Sequence, residues 1–275
     1  MSSAARGNTK SKVRQLLGRS VIRLAARLER LACRIQGKGW AGPATVDHEA
    51  EAALSFLPYA PSLVIDVGAN IGDYSAAMRT RHPATEIHAF EPSPVAAADL
   101  KKRFAADRLF TMNIMALSDV SSRVPLYGDR PGSRKASLVK RDLRHYAFSF
   151  DAVEEVDAAT FETYWRANLD CRQIDIVKLD VEGFELKVLR GFGPAIDAVR
   201  VFQFELGGCA IDTQIYLRDF WHMFTERGFE IYRLSPFGPL KMQQYRECEE
   251  FFDTTNYFAV SRRLEVNPLV KSDNA

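Results

Sequence analysis

Nine consecutive residues, Val64-Ile65-Asp66-Val67-Gly68-Ala69-Asn70-Ile71-Gly72, constrain this chain more than any other stretch. A short apolar run that stops at a glycine reads as a buried strand, here Leu63 to Val67. A helix is expected from Ile71 to Arg81, ended by Pro83. The pattern then repeats along the chain. Strands are expected at Glu86–Phe90, Leu109–Leu117, Ile174–Leu179, Arg200–Leu206, Phe229–Leu234 and Tyr257–Ser261. Helices are expected at Pro94–Ala105, Thr160–Asn168, from the turn after Leu179 to Gly191, and at Tyr216–Arg227. Residues 118–155, with Gly128, Pro131 and Gly132, read as an insertion with short strands. Strands alternating with helices imply an α/β fold with a doubly wound, mostly parallel sheet, which takes ligands at the carboxyl ends of its strands.

The glycine turn narrows the ligand. Glu91 ends the second strand, 19 residues past Gly72, where an acid accepts hydrogen bonds from both ribose hydroxyls of an adenosine. A nicotinamide enzyme would share that layout, but its G-x-G-x-x-G fingerprint is incomplete here: Ala69 and Asn70 stand between Gly68 and Gly72. Asp66, just before the turn, would repel a pyrophosphate and attract an ammonium. S-adenosylmethionine offers an ammonium and a sulfonium and no phosphate, so it is the expected cofactor. An NAD-dependent oxidoreductase is the alternative.

The second chemical signal is Ile176-Val177-Lys178-Leu179-Asp180-Val181-Glu182-Gly183. Asp180 and Glu182 end the fourth expected strand, beside the turn at Gly68 if the first and fourth strands are neighbours. Asp175, out of step with the apolar residues, is expected to face solvent, and Lys178 to be a salt-bridge partner without a chemical role.

These motifs together resemble the FkbM family of S-adenosylmethionine-dependent methyltransferases over about residues 60–260. The resemblance is carried by the Val64–Gly72 stretch, Phe90-Glu91-Pro92, Ala116-Leu117-Ser118-Asp119 and Ala136-Ser137-Leu138. It continues through the Lys178–Gly183 stretch with Glu185, Val188-Leu189-Arg190-Gly191, and Phe204-Glu205. The family's Thr-Leu-Asp segment is Thr160-Phe161-Glu162 here, where the acid is kept but is longer by one methylene. The resemblance implies a Rossmann-like methyltransferase fold with a seven-stranded sheet whose last strand is antiparallel. It implies methyl transfer to oxygen, on a sugar, glycan or other small-molecule acceptor, in a bacterial source. By position, Asp66, Gly68, Ala69, Asn70 and Gly72 would cradle the methionine part of the cofactor, Glu91 the ribose, and Ala116 with Leu117 the adenine. Asp180 would lie near the methyl group.

A poorly acidic alcohol must lose its proton as it is methylated. Asp180 is the first candidate for base or acceptor-orienting group, Glu182 the second and His145 a third. Phe220, Trp221 and Phe224, at helical spacing, are expected in the core. Tyr245, Phe251 and Phe252 are expected to pack or to line an acceptor pocket. Arg130, Arg134, Lys135, Lys140, Arg141 and Arg144 make the insertion basic. No metal is expected: the four cysteines and five histidines are scattered, without zinc or disulfide spacing, as in a reducing compartment.

Charge divides the chain. Residues 1–40 carry ten bases against Glu29, a net +9, while the remainder carries −7, so the overall +2 is a sum of opposites. The acidic remainder argues against nucleic acid as a partner, although an RNA methyltransferase using the basic arm stays open. Within the arm, Val13, Leu17, Val21, Leu24, Leu28, Leu31 and Ile35 form an apolar helical stripe beside Arg23, Arg27, Arg30 and Arg34. Three readings stand: contact with an anionic membrane surface or membrane-bound partner, packing or oligomer contact, and targeting. No apolar run of spanning length occurs. The expected organisation is an extension over 1–41, a methyltransferase domain over 42–265 and a tail over 266–275. The expected location is the cytoplasm, with peripheral contact to the inner membrane through the arm; the oligomeric state is unassigned.

Overall fold

A computed structural model describes residues 3–42, 44–146 and 149–264, with side chains from residue 18 onward. The tail over 266–275, and the side chains of Val13 and Leu17, lie outside the described residues. The chain begins with helix α1 (Ser3–Ile35), which ends before Gly37 as expected. Helix α2 (Val46–Ser55) follows. Then come β1 (Leu63–Val67), α3 (Asp73–Arg81), β2 (Glu86–Phe90), α4 (Pro94–Arg103) and β3 (Phe110–Asn113). The insertion contributes β4 (Ala116–Leu117), β5 (Ser122–Gly128) and β6 (Ala152–Ala159). The second half runs α5 (Phe161–Asn168), β7 (Ile174–Leu179), α6 (Glu185–Phe192), β8 (Val199–Leu206), α7 (Cys209–Thr213) and α8 (Leu217–Thr225). It closes with β9 (Phe229–Ser235), β10 (Gly238–Lys241) and β11 (Thr255–Ser261).

The main sheet has the order β10-β9-β11-β8-β7-β1-β2-β3. Strands β3, β2, β1, β7 and β8 are parallel neighbours, and β11 enters antiparallel between β8 and β9. The seven expected strands and the antiparallel last one are present. The sheet nevertheless has eight strands, because β10 folds back on β9 as an edge hairpin. The run read as one strand from Leu109 to Leu117 is two, and β4 belongs to a second sheet of order β4-β6-β5. An apolar run carries no mark of where the chain leaves one sheet for another.

The central strands β1 and β7 are buried on both faces, with helices covering the sheet, which is why they read as continuous apolar runs. The same cover corrects the expectation for Asp175. It is buried, and its carboxylate accepts hydrogen bonds from Ser62 N, Ser62 Oγ, Leu63 N and Tyr59 OH at 2.7–3.1 Å. In a doubly covered sheet, alternation does not lead to water, and a buried carboxylate must be hydrogen-bonded. Phe220 and Phe224 are fully buried against Phe204 and Phe202, and Trp221 packs at their margin, as expected.

Candidate active site

Strand order reverses between β1 and β7, and their carboxyl ends meet the turn at Gly68. Asp180 N donates to Val67 O at 3.1 Å, continuing the ladder past the end of β7. The approach is so close that a Cβ on Gly68 would lie 1.9 Å from Asp180 O, and Gly68 also has φ +80°. Only glycine meets both demands. The turn is fixed to β2 by Gly68 N and Ala69 N, both donating to Phe90 O at 3.0 Å. Asn70, at φ 49°, occupies the left-handed region that asparagine tolerates.

Two cavities adjoin here, sharing Gly68, Asn70, Arg134, Asp180 and Glu182 as walls. The smaller, of about 50 Å³, lies at the end of β2, between Phe90, Glu91 and Pro92 on one side and Met115, Ala116 and Leu117 on the other. Glu91 is buried and its carboxyl is pushed up to about 7, chiefly by burial. It accepts from Asn70 N and Ser93 N, both at 2.8 Å, one per oxygen, and so ties the glycine turn to the end of β2. Each oxygen keeps a lone pair for a ribose hydroxyl.

The larger cavity, of about 320 Å³, is bordered by Ala69, Tyr74, Glu49, Lys178 and Glu205 in addition to the shared residues. Lys178 Nζ is buried and donates to Asp180 Oδ2 at 2.8 Å. Burial alone would lower its pKa, but Asp180, Asp66 and Glu49 outweigh that and raise it, so it is a permanent cation. Asp66 is wholly buried behind the turn, accepting from Ser75 Oγ at 2.6 Å. Its Oδ1, Asn70 Oδ1 and Tyr74 OH have no hydrogen-bond partner among the described residues. Gly72 fits the start of α3 closely, since a Cβ there would meet Leu100 and Phe104.

After β7 the chain turns through Glu182 (φ 54°) and Gly183. The carboxylate that caps this turn is Glu185, whose Oε1 accepts from Val181 N and Gly183 N at 3.1 Å; burial pushes Glu185 up to about 7. Glu182 is thereby left to the cavities. Its pKa is raised by burial and then by Asp180, and Cys209 Sγ donates to it at 2.9 Å. A non-glycine residue held in the left-handed region costs about 1–3 kcal/mol and recurs at functional sites.

The insertion folds over this site. Ser137 Oγ donates to Glu182 O at 2.8 Å, and Arg141 lies 3.5 Å from Glu182 and 3.2 Å from Asp212. Arg134 and Lys135 line the larger cavity, whereas Arg130, Lys140 and Arg144 pair with acids at the surface. His145 is exposed beside Tyr146. Glu162 forms a surface ion pair with Arg166, one turn along α5, away from the site. Tyr245 packs against the core with its hydroxyl on Glu250, and Phe252 is exposed near Tyr216.

Sequence reasoning missed Glu49 and Tyr74, named Glu205 only within a family motif, and gave Lys178 too little. A charge inside an apolar strand marked Lys178 and Glu205. Glu49 had no such mark, because α2 itself was unread. Its carboxylate is buried, accepting from Thr45 Oγ1 and Gln203 Nε2 at 2.6 and 2.9 Å. Burial, then Asp180, Glu182 and Glu49, push Glu205 well up.

The lining suits a cationic ligand. Four acids, Glu49, Asp73, Asp180 and Glu182, face three bases around the larger cavity, and Glu205 adds a carboxyl that burial drives toward its neutral form. Unpartnered oxygens at the glycine turn and a ribose-competent carboxylate at the end of β2 complete a set that fits S-adenosylmethionine and opposes a pyrophosphate.

Residues 66–254 match the family described as the methyltransferase FkbM domain. Methyltransferase sdnD of Sordaria araneosa is 29% identical over 160 residues, covering 49% of this chain and 61% of the relative. The 2-O-methyltransferase NoeI of Sinorhizobium fredii is 26% identical over 148 residues, covering 50% and 60%. The chain thus spans about three fifths of the length of these relatives. The crystal structure of methyltransferase FkbM from Methylobacillus flagellatus aligns with a TM-score of 0.45 at 14% identity, over 88% of this chain and 60% of that one.

Proposed function

The chain belongs to the FkbM methyltransferase family and uses S-adenosylmethionine, and from that premise we propose that it methylates a hydroxyl oxygen of a sugar, glycan or other small-molecule acceptor. The observation that carries this reading is the pair Asp180 and Glu182, which border both cavities at the end of β7. The similarity to a 2-O-methyltransferase supports oxygen as the acceptor atom.

In this reading the ribose meets Glu91 at the smaller cavity, whose walls must part to admit the adenine against Ala116 and Leu117. The turn Gly68-Ala69-Asn70 and the larger cavity take the methionine portion, where Tyr74 OH and Asn70 Oδ1 offer unpaired polar atoms. Asp66 acts from behind the turn, adding negative charge next to the ammonium. Once bound, S-adenosylmethionine supplies a methyl group already activated by its sulfonium. The chain's own task is then to hold the acceptor oxygen in line and take its proton.

Asp180 and Glu182 divide that task. Lys178 holds Asp180 Oδ2 as an oriented carboxylate, suited to fix an acceptor hydroxyl. Glu182, whose carboxyl is pushed up by burial and by Asp180, is suited to receive the proton. The catalytic domain in this proposal is residues 42–265. The test is transfer of labelled methyl from S-adenosylmethionine into fractionated glycans and lipids of the source cell. Label in an oxygen-linked methyl, lost in Asp180→Asn, supports the proposal; label on nitrogen or carbon, or full activity in that variant, refutes it.

A further inference from the structure

We propose that α1 is a membrane-docking helix whose apolar face seats on a lipid surface bearing anionic headgroups. Val21, Leu24, Leu28, Leu31 and Ile35 are 50–65% exposed, in one line along the helix. Their spacing of three and four residues places them on a single face. The half-buried positions along this stretch, Ala26 and Cys33, are on the opposite side of the helix by the 3.6-residue turn, so what cover α1 has is not over that face. Among the described residues no helix of the body leaves such a stripe open; α8, for comparison, buries Leu217, Phe220 and Phe224. A continuous exposed apolar face marks an interaction surface.

Charge selects the occupant. Arg23, Arg27, Arg30 and Arg34 are exposed along one flank of the stripe, and none has an ion-pair partner among the described residues. A second copy packed antiparallel on this face would bring the same arginines toward each other. A nucleic acid would be held by the guanidinium groups and would leave the leucines in water. Anionic headgroups above an acyl layer satisfy both, because arginine stems lie along apolar surface while their heads reach the phosphates.

The helix is also fixed to the body at its end. Arg233 Nε donates to Gln36 O at 2.7 Å, Lys38 lies 3.3 Å from Glu249, and Gly39 N donates to Thr255 Oγ1 at 3.0 Å. Two residues later, Ala41 and Gly42 form part of the wall of the larger cavity. A surface that holds α1 therefore lies near the site.

The test is co-sedimentation of the full-length protein with vesicles of phosphatidylcholine alone and with about 30% phosphatidylglycerol, at low and high salt. Two variants accompany it: Leu24→Gln/Leu28→Gln/Leu31→Gln, which keeps charge and helix propensity, and Arg23→Gln/Arg27→Gln/Arg30→Gln/Arg34→Gln. Circular dichroism and light scattering check helix content and mass. The expected result is pelleting with the anionic vesicles only, reduced at least tenfold in each variant and by high salt, at equal helix content. Wild-type protein that stays in solution overturns the proposal. So does a leucine variant that pellets like wild type, or a wild-type dimer that the leucine variant converts to monomer.

Discussion

Lys178 is the residue on which the acids of the site depend, since it alone places an ammonium among Asp66, Asp180 and Glu49. Lys178→Met is expected to destabilise the protein by about 3 kcal/mol, measured by denaturant unfolding, because removing one partner of a buried pair leaves the others uncompensated. Asp180→Asn acts differently. It is expected to lower turnover by roughly 100-fold or more while changing the calorimetric affinity for S-adenosylmethionine little, as losing the in-line position of the acceptor oxygen costs about that much. Glu185 supplies a pH prediction. Its folded pKa of about 7 lies above its ordinary value of 4.5, so the folded state holds the proton longer. The stability this confers is complete below about 4.5 and is lost as pH rises towards about 7. Glu185→Gln keeps an oxygen for Val181 N and Gly183 N and cannot ionise. Its melting temperature is expected to gain on wild type as pH rises from 5 to about 7, and an unchanged difference would show that Glu185 is not buried as described.

At the scale of elements, the site depends on β1 and β7 ending against each other. Gly68→Ala would drive a methyl group into Asp180 O in a backbone conformation alanine resists. It is expected to cost at least about 2 kcal/mol in denaturant unfolding and to abolish calorimetric binding of S-adenosylmethionine. The strands of this sheet were legible because doubly buried parallel strands are short apolar runs ended by glycine or an acid. Helix α2 was not, because it faces the core largely with Ala50, Ala52 and Ala53, which give hardly any apolar rhythm. Strand β10 was hidden for a related reason: Gly238 to Lys241 gains its strand character from pairing with β9, not from its own side chains.

For the whole molecule, the balance of +9 in the first 40 residues against −7 in the rest has a spatial counterpart. A few of the body's acids line the cavities, and the arm carries its arginines on an open helix. Among the described residues no helix is long and apolar enough to cross a membrane. An acidic site should also distinguish its ligands by charge. S-adenosylmethionine at about 100 times its dissociation constant is expected to stabilise the folded chain by about 2.7 kcal/mol, read as a rise in melting temperature. NAD at the same concentration is expected to leave the melting temperature unchanged; a rise with NAD would reopen the dinucleotide reading.

The sequence by itself determined the alternation of strands and helices, the glycine turn, and the acids at the ends of β2 and β7. Each of these is local: hydrophobic period, glycine and chain order write them directly. Only the tertiary structure decided that Glu49 and Glu205 join the site and that Glu185, not Glu182, caps the turn. It also decided that Asp175 is buried, that the insertion closes over the cavities, and that the apolar stripe of α1 stays uncovered. Those outcomes depend on which distant surfaces meet, and burial is a property of the neighbours a side chain acquires rather than of the side chain itself.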